Sequence, residues 1–135
     1  MLPSGLPEAV GDEEPLARFL TSSSLHSGSV VKPAAFMPSP KDGNTSVFRH
    51  AAEPTDALVA IARAHVVRER TLYGVAMCST EQVRLAGLTV AAQEPPPRHA
   101  NIGGWPVVQD DPDQTKAQRK ERALLIAQSA TLVPL

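Results

Sequence analysis

Apolar and polar positions divide the chain into two proline-free stretches and the proline-bearing segments around them. No proline occurs from Thr55 to Glu94 or from Asp113 to Val133. Because proline breaks helix interiors and central strands, both stretches are expected to hold regular structure. The spacing of apolar residues inside each stretch then distinguishes helix from strand.

The first proline-free stretch opens with a helical pattern. Proline is tolerated at a helix start, where Pro54 stands, and Asp56 suits the positive end of the helix dipole. The pattern predicts a helix from about Thr55 to Arg68. Its apolar stripe, which is expected to face the core, consists of Leu58, Ile61, Ala62, His65 and Val66.

A buried strand, a short helix and a second strand are predicted next. Leu72–Cys78 is apolar on both faces, which is typical of a central strand. Ser79 and Gln82 have the spacing of a capping box, and Gly87 fits the position just after a helix C-terminus. The following segment, Leu88–Ala92, is a second strand candidate.

The N-terminal half predicts three extended segments. Arg18–Thr21 is expected to begin the fold as a short strand, and Ser29–Met37 is a weaker extended segment that Pro33 assigns to a sheet edge. Thr45–Ala51 alternates in side-chain direction, so we expect it to pair with Ser29–Met37 in a long-looped hairpin. The alternation leaves two interpretations of Arg49, solvent-facing or cleft-lining, and the first is favoured.

The second proline-free stretch predicts a final helix that runs to about Ala130. Asp111 has the properties of its N-cap, Pro112 suits the first helical position, and Gln114 follows three residues after the cap. Residues 94–106 contain three consecutive prolines and a glycine pair. That segment is therefore expected to be irregular.

The mixed order of helices and strands predicts an α+β domain. We expect a small mixed or antiparallel sheet of about four to five strands, packed by two main helices and one short helix. Residues 1–15 hold four acids, three prolines and no base. The sequence therefore predicts a flexible acidic N-terminal tail over residues 1–15 and a single α+β domain over residues 16–135.

Composition and charge exclude several classes of function. The formal net charge of -1 argues against duplex nucleic acid as a partner. The longest apolar run, Ala57–Ala62, is too short to cross a membrane. Cys78 is the only cysteine, so no internal disulfide is possible and a cytoplasmic location is expected. The sequence shows neither zinc-ligand spacing nor a glycine-rich nucleotide loop, so no metal or cofactor is expected.

The segment from Arg98 to Pro106 combines several residue types that carry chemistry. His99 titrates near neutrality and is the candidate acid or base, while Arg98 suits bidentate binding of a phosphate or carboxylate. Asn101 is assigned to positioning the ligand, and Trp105 to an apolar wall. The alternative is structural, with Trp105 as a core anchor and Asn101 as a turn residue.

Two further cations extend the candidate site. Lys32 and Arg49 lie in the two segments that are expected to form a hairpin. Together with Arg98 and His99 they would form an anion-binding pocket of the kind that receives phosphates. The sequence thus assigns His99 a catalytic role. The assigned ligand-binding residues are Lys32, Arg49, Arg98, Asn101 and Trp105.

Four segments of the chain resemble a group of short bacterial proteins that have no assigned activity. They are Arg18–Ser23 (RFLTSS), Lys32–Phe36 (KPAAF), Thr45–Arg49 (TSVFR) and Pro97–Ile102 (PRHANI). The similar portion runs from about Arg18 to the final helix. The resemblance implies that the chain is a whole bacterial protein, and it implies no particular reaction.

Two functions from different classes remain open. The first, which is slightly favoured, is a small cytoplasmic domain that binds an anionic, phosphate-bearing ligand such as a nucleotide or a nucleic-acid phosphate. Such a domain would suit metal-independent phosphoester or nucleotide-transfer chemistry. The second is a non-catalytic interaction module, an adaptor or antitoxin-like protein, whose partner binds residues 113–135.

Overall fold

The computed structural model of the chain describes residues 1–50 and 55–134. The strands in these ranges are β1 (Pro15–Leu20), β2 (His26–Ser27), β3 (Val30–Val31), β4 (Thr45–Arg49), β5 (Gly74–Ser79), β6 (Thr89–Ala92), β7 (His99–Gly103) and β8 (Thr131–Pro134). The α-helices are α1 (Thr55–Ala62), α2 (Thr80–Leu85) and α3 (Pro112–Ser129). A π-helical turn (Arg63–Val67) continues α1, and 3₁₀ turns occupy Ser23–Leu25 and Pro33–Phe36. The predicted α+β class is confirmed.

Six strands form one sheet in the order β6-β7-β4-β1-β5-β8, and every neighbouring pair is antiparallel. The sheet is larger than the four to five strands expected, because β7 lies in the segment predicted to be irregular and β8 follows the final helix, where no strand is predicted. The run of three prolines in this segment ends at Pro97, inside the loop between β6 and β7. The hairpin closes where Gln93 N–H donates to His99 C=O at 2.9 Å. Residues 99–102 of β7 pair with β4, and residues 100–103 pair with β6.

The predicted hairpin between Ser29–Met37 and Thr45–Ala51 is wrong. The pairing partners of β4 are β1 and β7, whereas β3 pairs with β2 in a separate two-stranded sheet. Pro33 has no N–H for a ladder and instead begins the 3₁₀ turn. Thr45 Oγ1 donates to the Phe36 carbonyl at 2.7 Å and so ties the end of that turn to β4.

The six-stranded sheet carries a core on each face. Face A, which includes Leu16, Val47 and Ile102, packs against α2, α3 and the 3₁₀ turn Pro33–Phe36. Face B, which includes Phe19 and Phe48, packs against α1 and its π-helical extension. Because side chains alternate along each strand, neighbouring residues serve opposite cores.

The helix predicted over 55–68 forms over 55–67, as α1 and its π-helical extension, but His65 is exposed, contrary to its expected place in the core. The chain changes to π-helical hydrogen bonding at Arg63. The wider i→i+5 turn shifts the helical phase, so that Val67 enters the core of face B. A constant 3.6-residue period cannot reproduce that shift.

Residues 1–15 are predicted to be a flexible tail. In the structure Pro15 begins β1, and the residues before it contact the domain. Val10 is buried in the core of face A. The Asp12 carboxylate forms an ion pair with Arg84 on α2, and Glu14 forms another with Arg49 at the end of β4. These contacts add an N-terminal strap to the sheet.

The capping residues predicted for α2 and α3 are confirmed. Ser79 Oγ accepts the Gln82 N–H at 3.1 Å at the start of α2, and Gly87 has a φ of 83° just after its end. Asp111 Oδ1 accepts the Gln114 N–H at 2.9 Å at the start of α3. None of the helices in the described ranges is long and apolar enough to cross a membrane.

Candidate functional site

One part of face B is polar and partly open to solvent. The side chains that define this polar half-face are Ser46, Gln93, His99 and Asn101, on β4, on β7 and just after β6. Register brings them together, because Ser46 pairs with Asn101, and Gln93 exchanges a backbone bond with His99. The sheet therefore gathers three polar side chains and an imidazole from three segments of chain.

A hydrogen bond joins Ser46 to His99 at the centre of the polar half-face. Ser46 Oγ lies 2.6 Å from His99 Nε2, and His99 Nδ1 lies 2.8 Å from the Gln93 carbonyl oxygen. Since a carbonyl oxygen only accepts, Nδ1 carries the proton of the neutral ring. Nε2 is then the acceptor, and the Ser46 hydroxyl donates to it. This is the arrangement in which an imidazole can remove a hydroxyl proton.

Neighbouring groups hold the His99 ring in place. The ring contacts Phe48 edge-on, with centroids 5.3 Å apart and planes at 62°. Phe48 is itself buried against Phe19 in the core of face B, so it offers a rigid apolar wall. The Asn101 amide donates to Gln93 Oε1, which fixes the second polar pair beside the first. The base is thus oriented before any ligand arrives.

Arg49 is fully buried, which overturns the favoured prediction that it faces solvent. Its Nε and Nη2 donate to the two carboxylate oxygens of Glu14, each at 2.9 Å, and Nη1 donates to the Pro7 carbonyl at 2.7 Å. Hydrogen bonds from Arg49 and Gly11 outweigh the effect of burial on Glu14 and hold the pKa of that carboxyl below its usual value. Arg49 therefore anchors the N-terminal strap.

Arg98 is also buried and contacts the end of β4. Its Nε donates to the Arg49 carbonyl at 2.8 Å, and its Nη2 donates to the His50 carbonyl at 2.7 Å. Its backbone has a φ of 67°, and its N–H donates to Glu94 Oε2 at 3.1 Å. These contacts give Arg98 a structural role in closing the turn before β7.

Lys32 and Trp105 lie away from the polar half-face. Trp105 is buried in the core of face A, and its Nε1 donates to the Ile102 carbonyl at 3.1 Å. Lys32 is exposed beside the C-terminal half of α3, where it lines a groove with Leu124. Of the six predicted site residues, only His99 and Asn101 belong to the polar half-face. The expected phosphate pocket does not assemble from Lys32, Arg49, Arg98 and His99.

Sequence reasoning missed Ser46 and Arg18. Ser46 lies two residues before Phe48 on the same strand, so alternation alone places both on face B. Its hydrogen-bond partner, His99, lies on β7, a strand that the sequence did not predict. Arg18 donates from Nε to the Ala35 carbonyl and from Nη1 to the Ser46 carbonyl, each at 2.8 Å. Burial lowers the pKa of that guanidinium.

Other reactive groups are arranged for packing. Cys78 is buried on face A, and burial raises the pKa of its thiol to about 12, which disfavours the nucleophilic thiolate. Within residues 1–50 and 55–134, no group of three histidine, cysteine or acidic side chains is placed to hold a metal ion.

Comparison with protein-family models, curated proteins and solved structures finds no match for this chain. The geometry of the polar half-face is therefore the basis for assigning a function.

Proposed function

We propose that the chain binds a phosphate-bearing small molecule at the polar half-face and that His99 exchanges a proton with it. The observation that carries this proposal is the hydrogen bond from Ser46 Oγ to His99 Nε2, with Nδ1 fixed by the Gln93 carbonyl. A hydroxyl, an oriented imidazole and the Asn101 amide give one potential nucleophile, one base and one donor. Arg49, Arg98, Lys32 and Trp105 are not part of the proposed ligand contacts.

The proposed reaction is a metal-independent transfer of a phosphoryl group. Ser46 Oγ attacks phosphorus as its proton passes to His99 Nε2, and the bond from phosphorus to the leaving oxygen breaks. The His99 imidazolium returns the proton to the departing oxygen. Water, deprotonated by His99 Nε2, then attacks phosphorus, the bond from phosphorus to Ser46 Oγ breaks, and the imidazolium returns the proton to Ser46 Oγ. The Gln93 carbonyl keeps the ring in the orientation that both steps need.

Hydrolysis of 4-nitrophenyl phosphate, together with thermal shifts on a nucleotide panel, tests this proposal. Ser46→Ala and His99→Gln are each expected to reduce the rate by about a hundredfold. His26→Gln is a matched control, because the His26 ring bonds only the Gly28 carbonyl of its own turn. Rates that are equal in all four proteins, or no shift with any phosphate-bearing compound, would overturn the proposal.

A second candidate function, a protein–protein interaction module, is favoured by the outer surface of α3. Leu124 and Leu125 are 41% and 49% exposed there, although helix residues of this type usually pack inward. Exposed cations, including Lys116 and Lys120, lie on the same helix. This surface would suit a partner that offers apolar and acidic side chains.

Point substitutions test the interaction function better than truncation does. Ile126 and Ala127 on α3 are buried in the core of face A, so deletion of residues 113–135 would unfold the domain. Leu124→Gln with Leu125→Gln is expected to abolish capture of a protein partner from a bacterial lysate, and His99→Gln is expected to preserve it. If the double variant and the parent chain capture the same proteins, this function is excluded.

A further inference from the structure

The turn that follows the π-helical extension of α1 holds an arginine where the backbone favours glycine. Arg68 has φ 50° and ψ -106°, and the Arg70 N–H donates to the Val67 carbonyl at 2.7 Å. These values match the second position of a type II′ β-turn, which glycine occupies because it has no Cβ. A side chain at this position costs stability, as it does at strained positions in functional sites.

The same turn concentrates positive charge at the surface. Arg63, Arg68 and Arg70 are exposed, as are His65 and Glu69. In the part of the chain that the structure describes, none of these arginines lies within ion-pair distance of a carboxylate. Residues 63–70 thus expose three guanidinium groups and one acidic side chain, and Arg68 and Arg70 lie in the turn itself.

A shallow cleft, largely open to solvent, runs along this charged turn and is lined by residues 65–70. Arg70 Nη2 donates to the Val66 carbonyl at 2.9 Å, which holds this guanidinium against the end of the helix. The lining of the cleft thus includes a positioned cation, Arg70, and the strained Arg68.

We propose that this cleft binds the phosphate group of a small phosphorylated molecule, with Arg68 and Arg70 as the ligands and His65 as a further donor. Guanidinium forks match the spacing of phosphate oxygens, and an excess of cations suits a dianion better than a single carboxylate. The cleft follows one turn, so it fits a compact anion and not an extended polymer. It shares no residue with the polar half-face and does not depend on the Ser46–His99 chemistry.

Two measurements on an Arg68 variant test the proposal: isothermal titration calorimetry with pyrophosphate at constant ionic strength, and thermal unfolding. Arg68→Gly is expected to weaken pyrophosphate binding by about tenfold or more. The same change is expected to raise the thermal unfolding midpoint by about 3 °C, because glycine adopts the turn without strain. A single substitution should therefore improve stability while it removes binding.

Two further variants separate charge from strain. Arg68→Gln keeps a side chain at the strained position, so it should weaken binding like Arg68→Gly and leave the unfolding midpoint unchanged. Arg63→Gln removes an exposed charge that does not line the cleft, and binding should stay within about twofold of the parent. The proposal is overturned if the parent gives no saturable heat with pyrophosphate, if Arg68→Gly binds as tightly as the parent, or if that variant is less stable. Tighter binding of a single-stranded oligonucleotide than of pyrophosphate would contradict the assignment to a small molecule.

Discussion

Replacing Glu14 by glutamine tests how the N-terminal strap is held. Arg49 is 0% exposed and uses both carboxylate oxygens of Glu14, whose side chain is 15% exposed. Glutamine keeps one acceptor oxygen but removes the negative charge, so the buried guanidinium loses its hydrogen-bonded counter-charge. Breaking a buried pair in this way costs about 3 kcal/mol. That is a large fraction of the roughly 5–15 kcal/mol by which such a domain is stable.

Urea unfolding followed by circular dichroism measures this loss. Glu14→Gln should lower the free energy of unfolding by about 3 kcal/mol and the thermal midpoint by about 10 °C. Glu13→Gln is the matched control, because the adjacent Glu13 side chain is exposed and makes none of these contacts. A loss below about 1 kcal/mol, the value typical of a surface pair, would refute the inference that the pair is buried and essential.

Four more predictions follow from the same contacts. The pKa of Glu14 is below its ordinary value of 4.5 in the folded chain. Its stabilising contribution is therefore complete above that pH and is lost as the pH falls through the folded pKa. If the unfolding free energy of Glu14→Gln falls with acid in the same way as that of the parent, this prediction is contradicted. Arg98→Gln should destabilise the chain by about 2 kcal/mol in urea unfolding, because the Arg49 and His50 carbonyls at the end of β4 lose a charged donor; an unchanged midpoint would refute that role. Cys78 should resist iodoacetamide at pH 8 until the chain unfolds, since its thiol is buried and has a pKa of about 12; rapid alkylation of the native protein would be inconsistent with that. Trp105 should emit at short wavelength in the native state and shift to longer wavelength on unfolding, as its indole is buried on face A; solvent-like native emission would rule this out.

Local chemistry made part of the fold predictable from the sequence. The caps at Ser79 and Asp111 depend on residues three positions away, and both hydrogen bonds are present. The strand β5 was recognisable because both of its faces are apolar, which a position inside the sheet requires. Such elements can be predicted because the residues that determine them are close together in the sequence.

The missed features depend on partners that are far apart in sequence. The residues that neighbour Arg49 in sequence do not indicate that its buried charge pairs with Glu14, 35 residues earlier. His99 was identifiable as a titratable residue in a loop-like segment, but its bond to Ser46 crosses 53 residues and needs the register between β4 and β7. The π-helical turn exposes His65 by a change of period that no residue type specifies.

Covalent labelling of Ser46 by a fluorophosphonate tests the central proposal most directly. The reagent forms a bond from serine Oγ to phosphorus and releases fluoride, so it reports a serine that a neighbouring base activates. The tryptic peptide from Asp42 to Arg49 contains Ser46 as its one serine, which makes the adduct easy to assign by mass spectrometry. We expect an adduct on this peptide in the parent chain and its loss in His99→Gln. Equal labelling of Ser46 in both proteins, or no labelling of Ser46 in the parent, would contradict it.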